Sequence, residues 1–372
     1  MSKLDIQPEP METSDILAIT NGNDYETIYQ KVSEISMKEI EFQKPLLTFC
    51  GNPLIYPKSI TQIQGGKGTH KSRFAEMIIS AFLNRTNNNL LNMELLQNDY
   101  FVILLDTERS ITEQLPYAIQ KIKLKAGYFI ADNIPNFFFT SNIGIKDRQT
   151  RLQTFKELIS KKRDLYPNKH FIIVIDVLTD LVKSFNNEVE SLELIDYLNE
   201  LINDFNCSVI CVIHQNPNSE NPKARGHIGT ESTNKASCVI QVSIDETTDL
   251  IKAKYLHLRS HKKPKEPVIM LYDETAGGLV IPTNEIVSQK NYEKEQAFIE
   301  VLIKILSKEA FINQKDLSEK LMKELKLTKT TALRRIDELL NGIYNGYTFK
   351  RENKKGGRYY LDNQQENEKD LF

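Results

Sequence analysis

The sequence predicts an α/β fold with a mostly parallel sheet, followed by a C-terminal winged helix-turn-helix domain. Between residues 46 and 282, short apolar runs alternate with longer amphipathic or polar stretches. This alternation is typical of a parallel sheet covered by helices. From residue 293 onward, three helix-like segments precede two aromatic, strand-like segments, which is the order of a winged helix-turn-helix.

The strands follow from the apolar runs in chain order. The runs ITQI, FVILL, FFFT, FIIVI, SVICVI and CVIQVSI predict the parallel part, and AKYLHLRS, EPVIMLYDE and GGLVIP predict hairpins at an antiparallel edge. Apolar residues at helical spacing predict helices near 298–305 and 317–321 and over LTKTTALRRIDELL. The last pattern, YTFKRENKKGGRYYL, predicts a hairpin with a Gly-Gly turn.

These patterns divide the chain into five segments. We expect an acidic arm with one helix, an α/β domain, a polar linker, a winged helix domain and a disordered tail, over residues 1–45, 46–282, 283–292, 293–362 and 363–372. A weakly amphipathic stretch around Tyr25, Ile28, Val32 and Ile35 predicts the helix of the arm.

The composition, with 40% apolar and 26% charged residues, is that of an ordinary soluble protein. No apolar run approaches the ~20 residues that a membrane helix needs. The first residues, MSKLDIQPEP, lack the apolar segment of a secretory signal. The four cysteines show no C-x-x-C spacing, which favours buried reduced thiols. We therefore expect a cytoplasmic protein with no membrane partner.

A glycine-rich segment after the first of these runs reads QGGKGTHKSRFAEMIISAFL, from Gln64 to Leu83. It approaches the phosphate-loop pattern G-x-x-x-x-G-K-[ST], in which backbone amides bind phosphates, the lysine reaches the β- and γ-phosphates and the hydroxyl binds Mg²⁺. The residues that would bind the phosphates are Gly65, Gly66, Lys67, Gly68, Thr69, His70, Lys71, Ser72 and Arg73. The segment therefore predicts a nucleotide site.

His70 stands where the pattern has its second glycine. Histidine is among the non-glycine residues found more often at positive φ, and the remaining glycines leave the backbone free to approach a phosphate closely. A strand before the loop and an amphipathic helix after it favour a phosphate loop over a chance glycine-rich turn.

Two acidic residues follow predicted buried strands. Asp176 comes directly after FIIVI, and Glu108 lies three residues beyond the last apolar residue of FVILL. Asp176 could hold Mg²⁺ together with Ser72, and Glu108 could polarise a water toward the γ-phosphate, with Asp106 or Thr107 positioning the turn. The alternatives are an ordinary strand-terminating aspartate and a glutamate in the first turn of a helix, where the dipole favours it.

The run SVICVI leads into His214 and Gln215. Ligands in open α/β sheets bind outside the carboxyl ends of the strands, so Gln215 could sense the phosphate state; a solvated strand end is the simpler alternative. The following loop, NPNSENPKARGHIGTESTNKAS, is longer than a connector needs. It is either a surface loop without a ligand or a path for a phosphate backbone, lined by Lys223, Arg225, His227 and Lys235.

Together these motifs resemble the RecA-like ATPase superfamily, and within it the hexameric replicative helicases and the RepA-type and KaiC-type proteins. The resemblance covers about residues 45–282 and follows the motif order GGKGTHKS, LLDTERS, IIVID and VIHQN. It implies bound ATP and Mg²⁺ and a homo-oligomer such as a hexamer. It also implies a catalytic set of Glu108, Lys71, Gln215 and Arg259, with Ser72 and Asp176 at the metal.

The assignment of Arg259 comes from the resemblance alone. In that family a basic pair on a late hairpin reaches the nucleotide of the neighbouring subunit. The segment YLHLRSHKKP offers Arg259 with Lys262 or Lys263, without the lysine-x-arginine spacing that is usual in the family.

The C-terminal segment carries a concentration of positive charge. A winged helix-turn-helix presents its third helix to the major groove of DNA and its hairpin to the backbone or minor groove. Residues 329–358 carry eight basic against three acidic side chains, a pattern typical of nucleic-acid binding. The alternative is a charged face used for solvation or protein contacts. The candidate DNA-binding residues are Lys329, Thr330, Arg334, Arg335, Lys350, Arg351, Lys354, Lys355 and Arg358.

The sequence leads to three functional hypotheses. The first, by analogy with the resembled family, is an ATP-driven, RepA-like helicase or translocase of plasmid or mobile-element replication. The second is a regulatory ATPase in which nucleotide controls a DNA-bound assembly without translocation. The third is a protein that binds ATP without hydrolysing it, an alternative that the departure at His70 keeps open.

Overall fold

A computed structural model of the chain describes residues 25–40, 42–86, 89–96, 99–216, 223–245, 247–325, 327–353 and 357–363. The chain splits into two compact units. The first extends to Asp245 and continues from Asp249 to Ile281, and the second contains Glu246–Thr248 and the residues from Pro282 onward. The predicted arm before residue 25 and the predicted tail after residue 363 lie outside the described residues.

The first unit is an α/β structure. Its strands are β1 (Leu47–Phe49), β2 (Asn52–Ile55), β3 (Ile60–Gly65), β4 (Met93–Leu95), β5 (Tyr100–Asp106), β6 (Phe137–Ser141), β7 (His170–Asp176), β8 (Cys207–His214), β9 (Cys238–Asp245), β10 (Leu250–Leu258), β11 (Val268–Asp273) and β12 (Gly278–Val280). Its helices are α1 (Tyr25–Ser36), α2 (Lys71–Leu83), α3 (Gln114–Lys125), α4 (Arg148–Leu165), α5 (Glu188–Phe205) and α6 (Gly226–Lys235), with a 3-10 helix at Leu178–Leu181.

A nine-stranded, mostly parallel sheet forms the centre of this unit, which confirms the predicted α/β class. The strand order is β12-β11-β10-β9-β3-β8-β7-β5-β6. The strands from β9 to β6 in this order pair in parallel, and β10, β11 and β12 add an antiparallel edge. Each of these strands overlaps one of the runs that predicted it.

The parallel strands are buried on both faces, because helices cover the sheet on each side. Alternate residues of β5 point to opposite cores: Val102 and Leu104 pack with α2 and α3, and Ile103 and Leu105 pack with α4 and α5. This arrangement explains why the strands read as continuous apolar runs rather than as alternating patterns.

The register brings the carboxyl ends of four parallel strands into line. Gly65 at the end of β3 lies opposite His214 at the end of β8. Asp106 at the end of β5 lies opposite Asp176 at the end of β7. The predicted phosphate loop and the polar residues that follow the strands therefore share one edge of the sheet.

A second, three-stranded antiparallel sheet in the order β2-β1-β4 was not predicted from the sequence. Its strands are only three or four residues long, too short for a reliable alternating pattern. They bury Leu47, Phe49 and Leu54 in the same core as α2. The sheet thus covers part of the helix that follows the predicted phosphate loop.

The second unit has its own core. Its elements are α7 (Asn284–Leu306), α8 (Gln314–Leu325), α9 (Lys329–Leu339), β13 (Ile343–Tyr344), β14 (Tyr347–Arg351) and β15 (Tyr359–Asn363). The three strands form an antiparallel sheet in sequence order. Phe298, Leu302, Leu317, Ile336 and Phe349 are buried together, so all three helices and the sheet contribute to this core.

The polar stretch 283–292, predicted as a linker, is mostly helical. Thr283 is the N-cap of α7, and its side-chain oxygen accepts a hydrogen bond from the Ile286 amide at 3.4 Å. Polar and charged residues in this stretch are compatible with a solvated helix face. The N-cap at Thr283 begins the helix well before the region in which apolar residues recur at helical spacing.

None of the helices in the described residues is both long enough and apolar enough to cross a membrane. The four cysteines are free thiols, three of them buried.

Candidate functional site

The predicted phosphate loop connects the end of β3 to the start of α2. The main chain at Gly65 leaves no room for a side chain, because an added Cβ would lie 2.1 Å from the Val242 carbonyl oxygen. Gly68 has φ +77°, a left-handed conformation that glycine adopts at little cost. Lys67 and Gly68 form the exposed tip of the loop, and the Thr69 hydroxyl donates to the Gly66 carbonyl oxygen at 3.0 Å.

His70 adopts the conformation that the glycine of the pattern would take. Its φ of 66° and ψ of 24° are left-handed, and it is the N-cap of α2. Its ring stacks on Tyr272 of β11, with ring centroids 5.6 Å apart. Burial, together with the charge of Arg73, lowers the pKa of His70. The side chain therefore packs as a ring beside the loop.

Tyr272 also contacts the first turn of α2. The Arg73 guanidinium carbon lies 4.2 Å from the centre of the Tyr272 ring, a cation–π contact. Sequence analysis did not identify Tyr272, because the contact joins residues nearly 200 positions apart and no local pattern reports it.

Lys71 is only 5% exposed, and its Nζ donates to the Gly66 carbonyl oxygen at 2.5 Å. Burial lowers the pKa of Lys71, while the negative charges of Asp176 and Glu108 oppose this effect. The lysine thus lies near both carboxylates that the sequence analysis selected.

Ser72 and Asp176, the two predicted metal ligands, are in direct contact. The Ser72 hydroxyl donates to Asp176 Oδ1 at 3.1 Å, so α2 and β7 meet at these side chains. Asp176 is 3% exposed, and burial raises its pKa to about 6, against the opposing charge of Arg109. The hydroxyl and the carboxylate are both oxygen donors of the type that Mg²⁺ prefers.

Arg109 is the centre of a buried ionic cluster that the sequence analysis missed. It donates to Asp176 Oδ2 at 3.1 Å, to Asp106 Oδ2 at 2.5 Å and to Glu76. Burial alone would lower the pKa of Arg109, but the three carboxylates together raise it. The guanidinium therefore stays charged and compensates the carboxylates around it. In the sequence, the one indication that Arg109 belongs to the site is its position within LLDTERS, next to Glu108.

The turn that carries Glu108 is fixed by Asp106 and Thr107. Asp106 Oδ1 accepts hydrogen bonds from the amides of Glu108 at 3.2 Å and of Arg109 at 2.7 Å. The Val177 amide donates to the Thr107 hydroxyl at 2.6 Å. Both residues thus position the turn, and the ends of β5 and β7 are held together.

Glu108 contacts the end of β8. Its Oε1 lies 3.1 Å from His214 Nε2, and 46% of its side chain is exposed. The hydrogen bond from His214 lowers the pKa of Glu108, although partial burial opposes this effect. An ionised, accessible carboxylate at this position can accept a proton from a water molecule.

Gln215 connects β8 to the predicted phosphate loop through its main chain. Its amide donates to the Gly65 carbonyl oxygen at 2.9 Å. Its side-chain oxygen accepts a hydrogen bond from Gln241 Nε2 at 3.1 Å. Gln215 therefore lies between the loop and β9, next to His214.

The loop after Gln215 is described only from residue 223, since residues 217–222 lie outside the described chain. Lys223 and Arg225 are exposed. The Arg225 guanidinium carbon lies 4.1 Å from the centre of the Phe185 ring, and its amide donates to the His214 carbonyl oxygen at 2.8 Å. These contacts place the start of α6 beside the end of β8.

Arg259 lies apart from the other predicted catalytic residues. It is exposed, directly after β10, and its guanidinium donates to the Asn234 carbonyl oxygen at 2.8 Å. Within the described part of the chain, its hydrogen bonds join it to Asn234 near the C-terminal end of α6 and to Ser237 just before β9, and none reaches the predicted phosphate loop.

The predicted DNA-binding residues of the second unit differ in their surroundings. Lys329, Thr330 and Arg334 are exposed on α9, whereas Arg335 is half-buried with its guanidinium carbon 5.2 Å from the Phe298 ring centre. On β14 and β15, Lys350 pairs with Asp362 and Arg351 lies over the Tyr359 ring, and between these strands Arg358 pairs with Glu352. Lys354 and Lys355 lie outside the described residues.

Among the described residues, no group of three or more His, Cys, Asp or Glu side chains is arranged to hold a metal ion. A magnesium ion that binds with a nucleotide needs fewer protein ligands, because phosphates and waters complete its coordination. Ser72 and Asp176 fit that role.

No protein-family model matches the chain, and no curated protein matches it at a significant level.

Proposed function

We propose that this chain is an ATP-hydrolysing, DNA-binding protein with a RecA-like ATPase domain and a C-terminal winged helix domain. The observation that supports this proposal most strongly is the 3.1 Å hydrogen bond between Ser72 Oγ and Asp176 Oδ1. It joins the first turn after a glycine-rich loop to the carboxyl end of a buried strand, which is the arrangement that Mg²⁺-nucleotide binding requires.

In this proposal each residue near the loop has one task. The loop amides and Lys71 would bind the β- and γ-phosphates, and Ser72 and Asp176 would hold a magnesium ion. When bound, Mg²⁺ supplies positive charge to the phosphates. Glu108 orients the attacking water and accepts its proton, and Gln215 relays the phosphate state to the loop that follows β8.

Two features support the proposed coupling to DNA. The exposed Lys223 and Arg225 follow the strand that contacts Glu108. Lys329 and Arg334 expose positive charge on α9 of the second unit, where a recognition helix would meet phosphates. The exposed Arg259, whose hydrogen bonds among the described residues do not reach the predicted phosphate loop, fits a role in the site of a neighbouring copy, so we propose a homo-oligomer such as a hexamer.

The cellular role that we propose first is that of a RepA-like helicase or translocase in plasmid or mobile-element replication. A regulatory ATPase that controls a DNA-bound assembly is the second candidate. The observation that favours it is the contact of Glu108 with His214, because this contact engages the carboxylate that would activate water.

Stimulation by DNA distinguishes the two candidates. ATP hydrolysis is measured with Mg²⁺ and no DNA, single-stranded DNA or duplex DNA. A translocase predicts strong stimulation by single strands, whereas a switch predicts tight duplex binding with little stimulation by single strands. No hydrolysis under any of these conditions would contradict both.

A further inference from the structure

A small open pocket, called the cavity below, lies between α2, α3 and the turn that joins β11 to β12. Three basic side chains line it: Arg73 from α2, and Lys121 and Lys125 from α3. Gly277 and Gly278 form the wall on the side of the turn. The cavity is therefore lined by positively charged side chains from two helices and by the main chain of two glycines, which have no side chains.

The glycines allow the two lysines to lie close to the turn. An added Cβ at Gly277 would be 3.2 Å from Lys121 Nζ, and one at Gly278 would be 2.9 Å from Lys125 Cε and 3.4 Å from its Nζ. Gly277 also has φ +67°, which disfavours other residues. The two lysine side chains thus lie against consecutive residues, Gly277 at the end of the turn and Gly278 at the start of β12.

Within the described part of the chain, neither Lys121 nor Lys125 makes an ion pair with a carboxylate, and Lys121 contacts the Tyr117 ring with Nζ 5.1 Å from its centre. Burial lowers the pKa of Lys125, and the neighbouring Lys121 adds to this effect against the charge of Asp273. Glu76 also lines the cavity, but its carboxylate is engaged by Arg109.

We propose that this cavity binds the phosphate group of a small ligand, either inorganic phosphate or a phosphomonoester. Lysine and arginine donors around one anion make strong, charge-assisted hydrogen bonds. The cavity adjoins the predicted phosphate loop at Arg73 and extends along α2 to Ser80, nine residues from Lys71, or about 13 Å at the helical rise. Glu76 connects the cavity to Arg109 and through it to Asp176.

The test is calorimetric titration of the full chain with inorganic phosphate and with glycerol phosphate, each with and without saturating ADP. ADP fills the predicted phosphate loop, so binding that persists belongs to another site. We expect Lys121→Gln and Lys125→Gln each to weaken this binding by at least about tenfold, and Lys125→Arg to keep it. The matched controls Lys146→Gln and Lys161→Gln remove the same charge from exposed positions and should bind as the wild type does.

The proposal is overturned if the wild type shows no binding that resists ADP, if both glutamine variants at the cavity keep it, or if the control variants lose it equally. Tighter binding of inorganic phosphate identifies a free anion as the ligand, and tighter binding of glycerol phosphate identifies a phosphomonoester. The outcome is independent of the proposed ATPase function, because titration without ADP reports the lysine-dependent site even if the chain binds no nucleotide.

Discussion

His214 Nε2 lies 3.1 Å from Glu108 Oε1, and this contact joins the ends of two strands that are separated in the sheet by β7. Glu108 is placed by the turn after β5, and His214 ends the strand that pairs with β3. A structural change at the predicted phosphate loop can therefore be transmitted to the Glu108 carboxylate through the His214 side chain.

This contact predicts a change in the pH dependence of hydrolysis. A hydrogen bond from His214 stabilises the ionised form of Glu108 and lowers its pKa below the ordinary 4.5. In His214→Ala the pKa of Glu108 returns upward, so the carboxylate takes up its proton at a higher pH than in the wild type. We expect the acid limb of the kcat profile, measured at saturating Mg²⁺ that would keep Asp176 ionised, to move to higher pH. The control is His257→Ala, which removes an exposed histidine of β10; an unmoved acid limb in His214→Ala would refute the role of the contact.

The contact between Ser72 and Asp176 predicts a metal-specific defect. In Ser72→Ala the hydroxyl that would bind Mg²⁺ is lost, while the amides and Lys71 remain for the phosphates. We expect the affinity for ATP with Mg²⁺ to fall about tenfold or more, as for a lost charge-assisted bond, and the affinity with EDTA to stay unchanged. Titration with a fluorescent ATP analogue in both buffers measures this. Equal losses in the two buffers would show that Ser72 acts on the loop rather than on the metal.

The conformation of His70 predicts which residues can replace it. Glycine adopts the left-handed region readily, whereas a β-branched residue is strained there by about 1–3 kcal/mol. We expect His70→Gly to bind ATP within about threefold of the wild type and His70→Val to bind at least about tenfold more weakly. If both variants lose affinity equally, the imidazole ring matters to binding, and the left-handed backbone alone does not explain the residue.

Lys329 offers a direct test of DNA binding by the second unit. It is exposed in the first turn of α9 and makes no ion pair with a carboxylate of the described residues, unlike Arg334, which pairs with Glu338. We expect Lys329→Gln to reduce the slope of log affinity against log salt by about 0.9, the value for one duplex phosphate contact. Lys323→Gln on α8 is the matched control, and the same reduction there would point to overall charge instead of a contact.

Much of the fold could be predicted because each buried parallel strand is a short apolar run. The same runs located Asp176 and Glu108, since polar residues directly after such strands must emerge at the edge of the sheet. The small sheet of β1, β2 and β4 was missed because strands of three or four residues are too short to show an alternating pattern. The helical start of α7 was missed because an N-cap, and not apolar spacing, begins the helix.

Contacts between distant residues account for the rest of the site. Arg109 reaches Glu76 and Asp176 only when β5, β7 and α2 are adjacent, and Tyr272 reaches His70 only when the antiparallel edge lies beside the loop. Neither contact leaves a pattern in the local sequence. The left-handed conformation of His70, in contrast, could be predicted, because the phosphate-loop pattern has glycine at this position and glycine adopts this conformation readily.

The central claim is that Glu108 activates water for ATP hydrolysis at this loop. The most direct measurement is the rate of ATP hydrolysis with Mg²⁺ by the wild type, by Glu108→Gln and by the control Glu157→Gln, which changes an exposed glutamate of α4. We predict hydrolysis by the wild type and the control, and a rate at least about 100-fold lower in Glu108→Gln with ATP binding retained. Equal rates in all three proteins, or ATP binding without hydrolysis by the wild type, would contradict the claim.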